Sequence, residues 1–207
     1  MTSSQMRESL LFLRNSFPVV GRFELPFIEG IEPFNNSINL ISWADTRSKD
    51  KGDNLKRGVH FFVDDYRFEG IYNHPESSLK KLQQYAFVLT PDYSLYADMP
   101  LWRQLENVAK NRGLGAYWQS KGMHVIPSIS WSTPKCFQFC FDGVAKESVV
   151  SVSMIGCKRS KENFLKGYTA MLNKLNPKQI IVFGTPFDEM KGNILSVDYI
   201  DSRRSIR

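Results

Sequence analysis

The fold is indicated first by residues 59–65, which read Val59-His60-Phe61-Phe62-Val63-Asp64-Asp65. A short apolar run of this kind is typical of a buried strand, and the two aspartates directly behind it mark where the strand ends. Four more strand-like runs follow along the chain, over residues 86–90, 124–129, 148–153 and 179–183.

Helical patterns separate these runs. Apolar residues at helical spacing predict helices over 77–84, 99–110 and 160–175, the last ending at Asn176-Pro177. Continuously apolar strands that alternate with helices are typical of a parallel sheet covered by helices. We therefore predict an α/β fold with a mainly parallel sheet of five or six strands, either an open sheet or an incomplete (β/α) barrel. A complete eight-stranded barrel is less favoured, because it typically needs about 250 residues.

The rest of the chain divides around this framework. Residues 1–20 predict an N-terminal helix and a turn, residues 21–195 a single α/β domain, and residues 196–207 a basic C-terminal tail. Within the domain, the segment 21–58 is rich in loop-forming residues. Its charged part, residues 45–54, has almost no apolar side chain, so we expect an exposed and mobile loop there.

Composition narrows the class of protein. The longest apolar runs fall far short of the ~20 residues that cross a bilayer, and the apolar stretch near the N-terminus is too short for a signal segment. We therefore expect a cytoplasmic protein without a membrane partner.

The odd number of cysteines argues against a disulfide framework. Cys136 and Cys140 have a spacing that zinc can use, but Cys157 and His124 form no second ligand pair, which favours buried free thiols.

The net charge of +6 raises the odds of a polyanionic partner, such as nucleic acid, a nucleotide or an acidic protein. Part of this excess belongs to the tail, which we expect to be solvated.

The motifs Gly-x-Ser-x-Gly, Gly-x-x-x-x-Gly-Lys and Gly-x-Gly-x-x-Gly are all missing from the sequence. The common hydrolase, nucleoside-triphosphate and dinucleotide interpretations therefore lose support.

Polar and aromatic residues follow every predicted strand. Ligands of parallel α/β sheets bind outside the carboxyl ends of the strands, where the loops converge, so we predict a ligand site at this edge. Its catalytic and metal-binding carboxylates are predicted to be Asp64, Asp65 and Asp92, and its substrate-binding residues Glu69, Ser94, Trp131, Arg67 and Arg159. The carboxylates could hold Mg²⁺ or Mn²⁺ or divide into an acid and a base, and the indole could stack a base or a sugar ring.

Simpler structural roles compete with these assignments. The Asp64-Asp65 pair is as often a turn or a helix cap, and Asp92 can be a turn former behind Pro91. For Trp131, a core role and a ligand-facing role are about equally supported. The segment from Gly156 to Arg159 can meet a phosphate ahead of a helix, but it matches no phosphate-loop spacing.

Several motifs of the chain also resemble a known family. They are VHFFVDDYRFE (59–69), VLTPDYSLY (88–96), GAYWQ (115–119), VIPSISW (125–131) and FCFDG (139–143). The set resembles the domain of unknown function family 4417, whose members occur mainly in bacteria of the Firmicutes kind, their phages and mobile elements. The similarity runs from about Phe23 to Phe187. It implies a phage or mobile-element setting and no particular reaction. The positions shared with the family pattern overlap the strand-end residues, and they are Asp64, Asp65, Asp92, Ser94, Trp118 and Trp131.

Two functions from different classes follow. The first is a carboxylate- or metal-dependent enzyme, with hydrolysis as the expected reaction type, acting on a phosphate- or sugar-containing, nucleic-acid-like substrate. The second is a non-catalytic protein of a mobile element that binds nucleic acid or a host protein, such as an antagonist of host defence. The enzyme is slightly favoured, because carboxylates collect at the strand ends.

Overall fold

The computed structural model describes residues 14, 16–200 and 202, and within them the chain forms nine strands and four α-helices. The strands are β1 (Val19–Val20), β2 (Leu25–Pro26), β3 (Leu40–Ser42), β4 (Gly58–His60), β5 (Phe87–Leu89), β6 (Val125–Ile126), β7 (Val149–Ser153), β8 (Gln179–Phe183) and β9 (Ile194–Val197). The helices are α1 (Gly70–Asn73), α2 (Pro75–Leu82), α3 (Leu101–Ser120) and α4 (Lys161–Leu175). The N-terminal helix predicted within residues 1–20, from Gln5 to Asn15, lies outside the described residues apart from Arg14.

Seven of the strands are parallel and lie side by side in chain order. Strands β3 to β6 form one sheet and β7 to β9 another. A parallel bridge between Ser128 and Ser151 joins the two sheets, and the amide of Ile129 donates to the Ser151 carbonyl at 2.8 Å. Among the described residues β3 and β9 do not pair, so the barrel is not closed. The predicted α/β class, with a parallel and open, barrel-like sheet, is confirmed.

Ring contacts across the inner face show that the sheet is strongly curved. Strands β4 and β8 are four positions apart, which in a flat sheet is about 19 Å. Nevertheless the ring centroids of Phe62, just after β4, and Phe183 of β8 are 5.0 Å apart, and those of His60 and Phe183 are 4.4 Å apart. Inward-facing side chains from all seven parallel strands or their ends fill the space between, namely Leu40, Phe62, Phe87, Leu89, Ile126, Val149, Ile181, Phe183 and Val197.

His60 lies inside this apolar filling as a neutral ring. Its Nδ1 accepts a hydrogen bond from the Phe62 amide at 3.2 Å, and burial lowers the pKa of the imidazole to about 3. A structural role is also the usual one for a histidine within a buried strand, and the structure gives His60 that role.

The helices cover the outer face of the sheet. Leu114 and Trp118 of α3 pack on outward-facing residues of β3 to β6, and α4 packs Tyr168 and Met171 on those of β7 and β8. Each such buried side chain contributes about 1.5–3 kcal/mol relative to exposure. None of the helices in the described part of the chain combines the length and the hydropathy that crossing a membrane requires.

The segment 31–38 closes the amino edge of the sheet. Its residues Ile31, Phe34 and Ile38 pack against the inner apolar cluster. The side-chain amide of Gln179, the first residue of β8, pairs with both backbone groups of Phe34 at 2.9 and 3.1 Å. Because these described residues plug the amino edge, a ligand of the sheet would bind at the carboxyl edge.

Helix α3 extends ten residues beyond the predicted end at residue 110. Its second half contains buried Asn111 and Arg112, and Gly113 and Gly115 follow, so neither its apolar pattern nor its propensity predicts a helix. The glycine at 115 is required by packing, because a Cβ there would lie 2.8 Å from the Thr90 methyl group.

The guanidinium of Arg112 is buried and bound to main-chain carbonyls. It donates to the carbonyls of Asp142 and Cys140, both at 2.8 Å, and weakly to that of Ser128 at 3.4 Å. Burial lowers the pKa of this arginine to about 10, so it still carries its charge at neutral pH. The side chain thus ties α3 to the end of β6 and to the turn that precedes β7.

The charged segment 45–54 is largely exposed, as expected, but it is anchored to the fold where we expected a mobile loop. Thr46 and Asp50 are buried. The Tyr85 hydroxyl donates to the Asp50 carboxylate at 2.5 Å, and the Gln84 amide donates to the carbonyls of Arg47 and Ser48. These partners come from a turn more than thirty residues away, so composition alone does not reveal them.

Strands β3 and β9 were not predicted. The first has three residues within a loop-rich segment. The second, Ile194–Val197, runs past residue 195, where the domain was predicted to end. The sheet therefore includes the first two residues of the predicted tail. Cys136 and Cys140 are buried free thiols, and Cys157 is partly exposed.

Replacing Arg112 with Met tests the role of its guanidinium. We expect the free energy of unfolding to fall by at least about 3 kcal/mol, because several buried carbonyls lose a charged donor together. Urea denaturation measures the change. The matched control is Arg103→Met on the same helix, where the exposed pair with Glu106 at 2.7 Å should be worth less than about 1 kcal/mol. Equal losses for the two variants would contradict the assignment.

Candidate active site

A cleft of about 630 Å³ opens at the carboxyl edge of the curved sheet. Its walls come from the segments that follow β4, β5, β6 and β7, and from Phe164 of α4. The volume lies within the ~300–1,000 Å³ that is typical of small-molecule sites. The position is the one at which parallel α/β sheets bind ligands.

The structure brings together five of the eight predicted site residues. Those that line the cleft are Asp64, Arg67, Asp92, Ser94 and Trp131. The other three, Asp65, Glu69 and Arg159, do not line it. Glu69 is exposed ahead of α1, and Arg159 is exposed on the 3-10 helix Cys157–Ser160.

Of the two carboxylates that line the cleft, Asp92 is more enclosed by the protein than Asp64. It is partly exposed, and the side chain of Ser130 hydrogen-bonds to it from the end of β6. Burial raises its pKa to about 7, the Ser130 hydrogen bond opposes this shift, and the charge of Asp65 adds to it. Asp92 can therefore hold or release a proton near neutral pH.

Asp65 serves the fold. Its carboxylate accepts hydrogen bonds from the Ser94 amide at 3.1 Å and from the Ser94 hydroxyl at 3.0 Å. These bonds join the segment after β4 to the segment after β5, which fixes two walls of the cleft. Sequence alone cannot tell which of two adjacent aspartates turns inward, because Asp64 and Asp65 have the same chemistry.

The three predicted metal ligands do not converge. Asp65 is turned to Ser94, and Asp64 is exposed with its carboxylate 3.9 Å from the Arg67 guanidinium. In the part of the chain that the structure describes, no group of three or more His, Cys, Asp or Glu side chains is arranged to hold a metal ion. Binding of Mg²⁺ or Mn²⁺ thus stays a prediction, and a cation here would need further ligands from a substrate.

One side of the cleft is aromatic. Trp131 is half-buried and packs on Phe164, with ring centroids 5.1 Å apart. Its indole lies against Gly167 of α4, where a Cβ would overlap the ring. Tyr96 and Ile155, which also line the cleft, are exposed over 61% and 55% of their surface. A planar ligand would therefore find stacking surface next to Asp92.

Cys157 also lines the cleft but is a poor nucleophile. Burial, together with the nearby charge of Asp92, raises the pKa of its thiol to about 11. Its Sγ donates to the Ser153 carbonyl at 3.4 Å. The thiol stays protonated at neutral pH, which favours acid–base chemistry over thiolate chemistry.

The main chain beneath Asp92 is held by a buried polar network. The Asn111 amide donates to the carbonyl of Pro91 at 2.7 Å and to that of Ser128 at 3.2 Å. The Thr90 hydroxyl donates to Asn111 and accepts from the Ser128 amide at 2.8 Å. This network fixes the ends of β5 and β6, and thereby the separation of Asp92 and Ser130.

Sequence reasoning did not assign three residues that shape the cleft, namely Ser130, Tyr96 and Phe164. Ser130 directly follows the predicted third strand, so its position was a usable signal. Tyr96 stands two residues beyond Ser94, and its exposure is visible only in the structure. Phe164 fits the apolar face of a helix, so nothing distinguishes it from a core residue.

Comparison with known proteins relates this chain to a family. A family model described as "Domain of unknown function (DUF4417)" matches residues 17–200. The chain is 37% identical over 178 residues to the "Gene 1 protein" of Mycobacterium phage L5, a match covering 84% of this chain and 77% of the relative. It is 36% identical over 178 residues to the "Gene 1 protein" of Mycobacterium phage D29, covering 84% of this chain and 65% of the relative.

Both relatives are phage proteins, which agrees with the phage setting that the resemblance implied. Their phages are mycobacterial, whereas the resemblance pointed mainly to bacteria of the Firmicutes kind and their phages. No solved structure matches the chain.

The raised pKa of Asp92 predicts a dependence of stability on pH. Between about pH 4 and pH 7 the folded protein holds a proton on Asp92 that the unfolded chain has lost, so stability falls as the pH rises through this window. The free energy of unfolding of wild type minus that of Asp92→Asn should fall by about 2–4 kcal/mol between pH 4 and pH 8. Urea denaturation of both proteins measures this difference, and a difference independent of pH would contradict it.

Gly167→Ala should displace Trp131. In an ordinary helix this change stabilises by about 1 kcal/mol. Here we expect a loss of about 1–3 kcal/mol, because the new methyl group overlaps the indole. Thermal unfolding and the near-ultraviolet circular dichroism of the tryptophans measure the effect. Thr169→Ala, at an exposed site of α4, is the control that should leave both signals nearly unchanged. A Gly167→Ala protein more stable than wild type would show that the indole does not lie there.

Proposed function

Since the chain belongs to the DUF4417 family, which carries no assigned reaction, we propose from the cleft that it is an enzyme in which Asp92 acts as general acid or base on a small phosphate- or sugar-containing substrate. The observation that carries the proposal is the placement of Asp92. This carboxylate is enclosed by the protein and lies in the cleft at the open end of the sheet. A general acid or base works best with a pKa near the working pH, and about 7 meets that condition.

The walls of the cleft support the substrate class. Trp131 and the exposed Tyr96 offer ring faces to a base or a sugar, and Arg67 offers a cation to a phosphate at the rim. Ser94 and Ser130 add hydroxyl groups close to Asp92. A nucleotide or a sugar phosphate has a ring and an anionic group that match these features.

A divalent cation is compatible with the proposal as a substrate-bound partner. Mg²⁺ commonly binds through one or two protein carboxylates and the phosphates of its substrate. Asp92 and Asp64 both line the cleft and can supply those carboxylates. We propose that the protein acts in the cytoplasm of a phage-infected cell.

The alternative is a phage protein that binds nucleic acid or a host protein without changing it, for example an antagonist of host defence.

The proposal is tested by ligand screening followed by turnover. Thermal unfolding is recorded with a panel of nucleotides and sugar phosphates, each with and without Mg²⁺ or Mn²⁺, and stabilising compounds are then incubated and analysed by mass spectrometry. We expect at least one compound to raise the melting temperature and to be converted. Its rate should show a limb with an apparent pKa near 7.

Asp92→Asn should bind this compound and lose at least about 100-fold in rate, because its side chain cannot exchange the proton. The matched control is Asp98→Asn, an exposed aspartate in the same segment that does not line the cleft, which should keep full activity. A compound that binds but is never converted would favour the binding alternative. Full activity in Asp92→Asn would remove the proposed chemistry.

A further inference from the structure

A second functional feature lies on a different surface from the cleft. The segment 46–51 runs along the C-terminal end of α2 and is held there by the side chains of Gln84 and Tyr85. The Gln84 amide nitrogen donates to the Arg47 carbonyl at 3.3 Å and to the Lys81 carbonyl at 3.1 Å. The two backbone stretches therefore lie within two hydrogen-bond lengths of each other, which brings the basic residues of both stretches close together.

Five cations form this surface, which we call the α2 basic surface: Arg47, Lys49, Lys51, Lys80 and Lys81. Arg47, Lys49, Lys51 and Lys80 are exposed, and the Lys81 ammonium lies 3.7 Å from the ring centroid of Trp43. None of the five makes an ion pair with a residue in the described ranges. By contrast, Lys56, five residues after Lys51, is paired with Asp53 at 2.9 Å.

The structure removes the one acidic side chain from the segment 46–51. Asp50 is buried, with only 8% of its surface exposed, and its carboxylate accepts from the Tyr85 hydroxyl and from the Asn54 amide at 3.1 Å. The neighbours Lys49 and Lys51 are exposed to solvent. Arg47, Lys49 and Lys51 are therefore the charged side chains that the segment 46–51 exposes.

We propose that the α2 basic surface binds the phosphate backbone of double-stranded nucleic acid, independently of the cleft. Cations on an anchored backbone that make no ion pair within the described ranges suit a phosphate backbone, which attracts cations irrespective of sequence. Single strands are bound largely by stacking of bases on exposed rings. This surface has no such ring in the described structure, because Lys81 covers Trp43 and Tyr85 is buried. A duplex therefore fits better than a single strand.

The test is fluorescence anisotropy of a labelled duplex DNA of arbitrary sequence, titrated with the full chain at ~50 and ~200 mM salt. The affinity of the wild type should fall steeply with salt. The triple variant Lys49→Gln, Lys51→Gln, Lys80→Gln should bind at least about tenfold more weakly at low salt. The slope of log affinity against log salt should fall by up to about 3, because each phosphate contact contributes about 0.9.

The matched control is the triple variant Lys121→Gln, Lys146→Gln, Lys191→Gln, which removes the same charge from exposed lysines elsewhere. It should weaken binding less than about threefold, and both variants should keep the melting temperature of the wild type. Equal losses for the two triples would show a bulk charge effect and overturn the proposal. The absence of duplex binding, a preference for the same strand unpaired, or binding only to poly-glutamate would overturn it as well.

Discussion

The buried guanidinium of Arg112 is the interaction on which the open end of the sheet depends. It binds carbonyls of the segment after β6 and of the turn before β7, and its neighbour Asn111 binds the carbonyl of Pro91 at the end of β5. Buried carbonyls need donors, and one charged side chain supplies several of them here. The strand ends are thereby fixed relative to α3, and Asp92 and Ser130 are held within reach of each other.

This constraint also explains what the sequence could and could not predict. The apolar runs located β4 to β8 and the helices around them, because buried parallel strands are continuously apolar. They could not locate the second half of α3, where buried polar groups serve the strand ends and interrupt the periodic pattern. They also missed β3 and β9, which are short and lie in segments that composition assigns to loops or to the tail.

The same limit applies to the site. The rule that ligands bind at the carboxyl ends of strands led to Asp64, Asp92, Ser94 and Trp131, because it depends only on strand order. It could not separate Asp64 from Asp65, since only the fold shows that Asp65 holds Ser94. The anchoring of the segment 45–54 was hidden for the same reason, because Gln84 and Tyr85 reach it from a distant turn. The structure thus has a cleft at the carboxyl edge and a basic surface beside the C-terminal end of α2, and the two can act separately.

The account depends most directly on the protonation of Asp92, which burial at the cleft places near neutral pH. A titration of the side-chain carboxyl carbon of Asp92 by nuclear magnetic resonance, assigned with the Asp92→Asn protein, measures it without knowledge of the substrate. The account predicts a midpoint near pH 7. A midpoint near pH 4, the value of a solvated aspartate, would contradict it, because the carboxylate would then be an ordinary charged group and not an acid–base group.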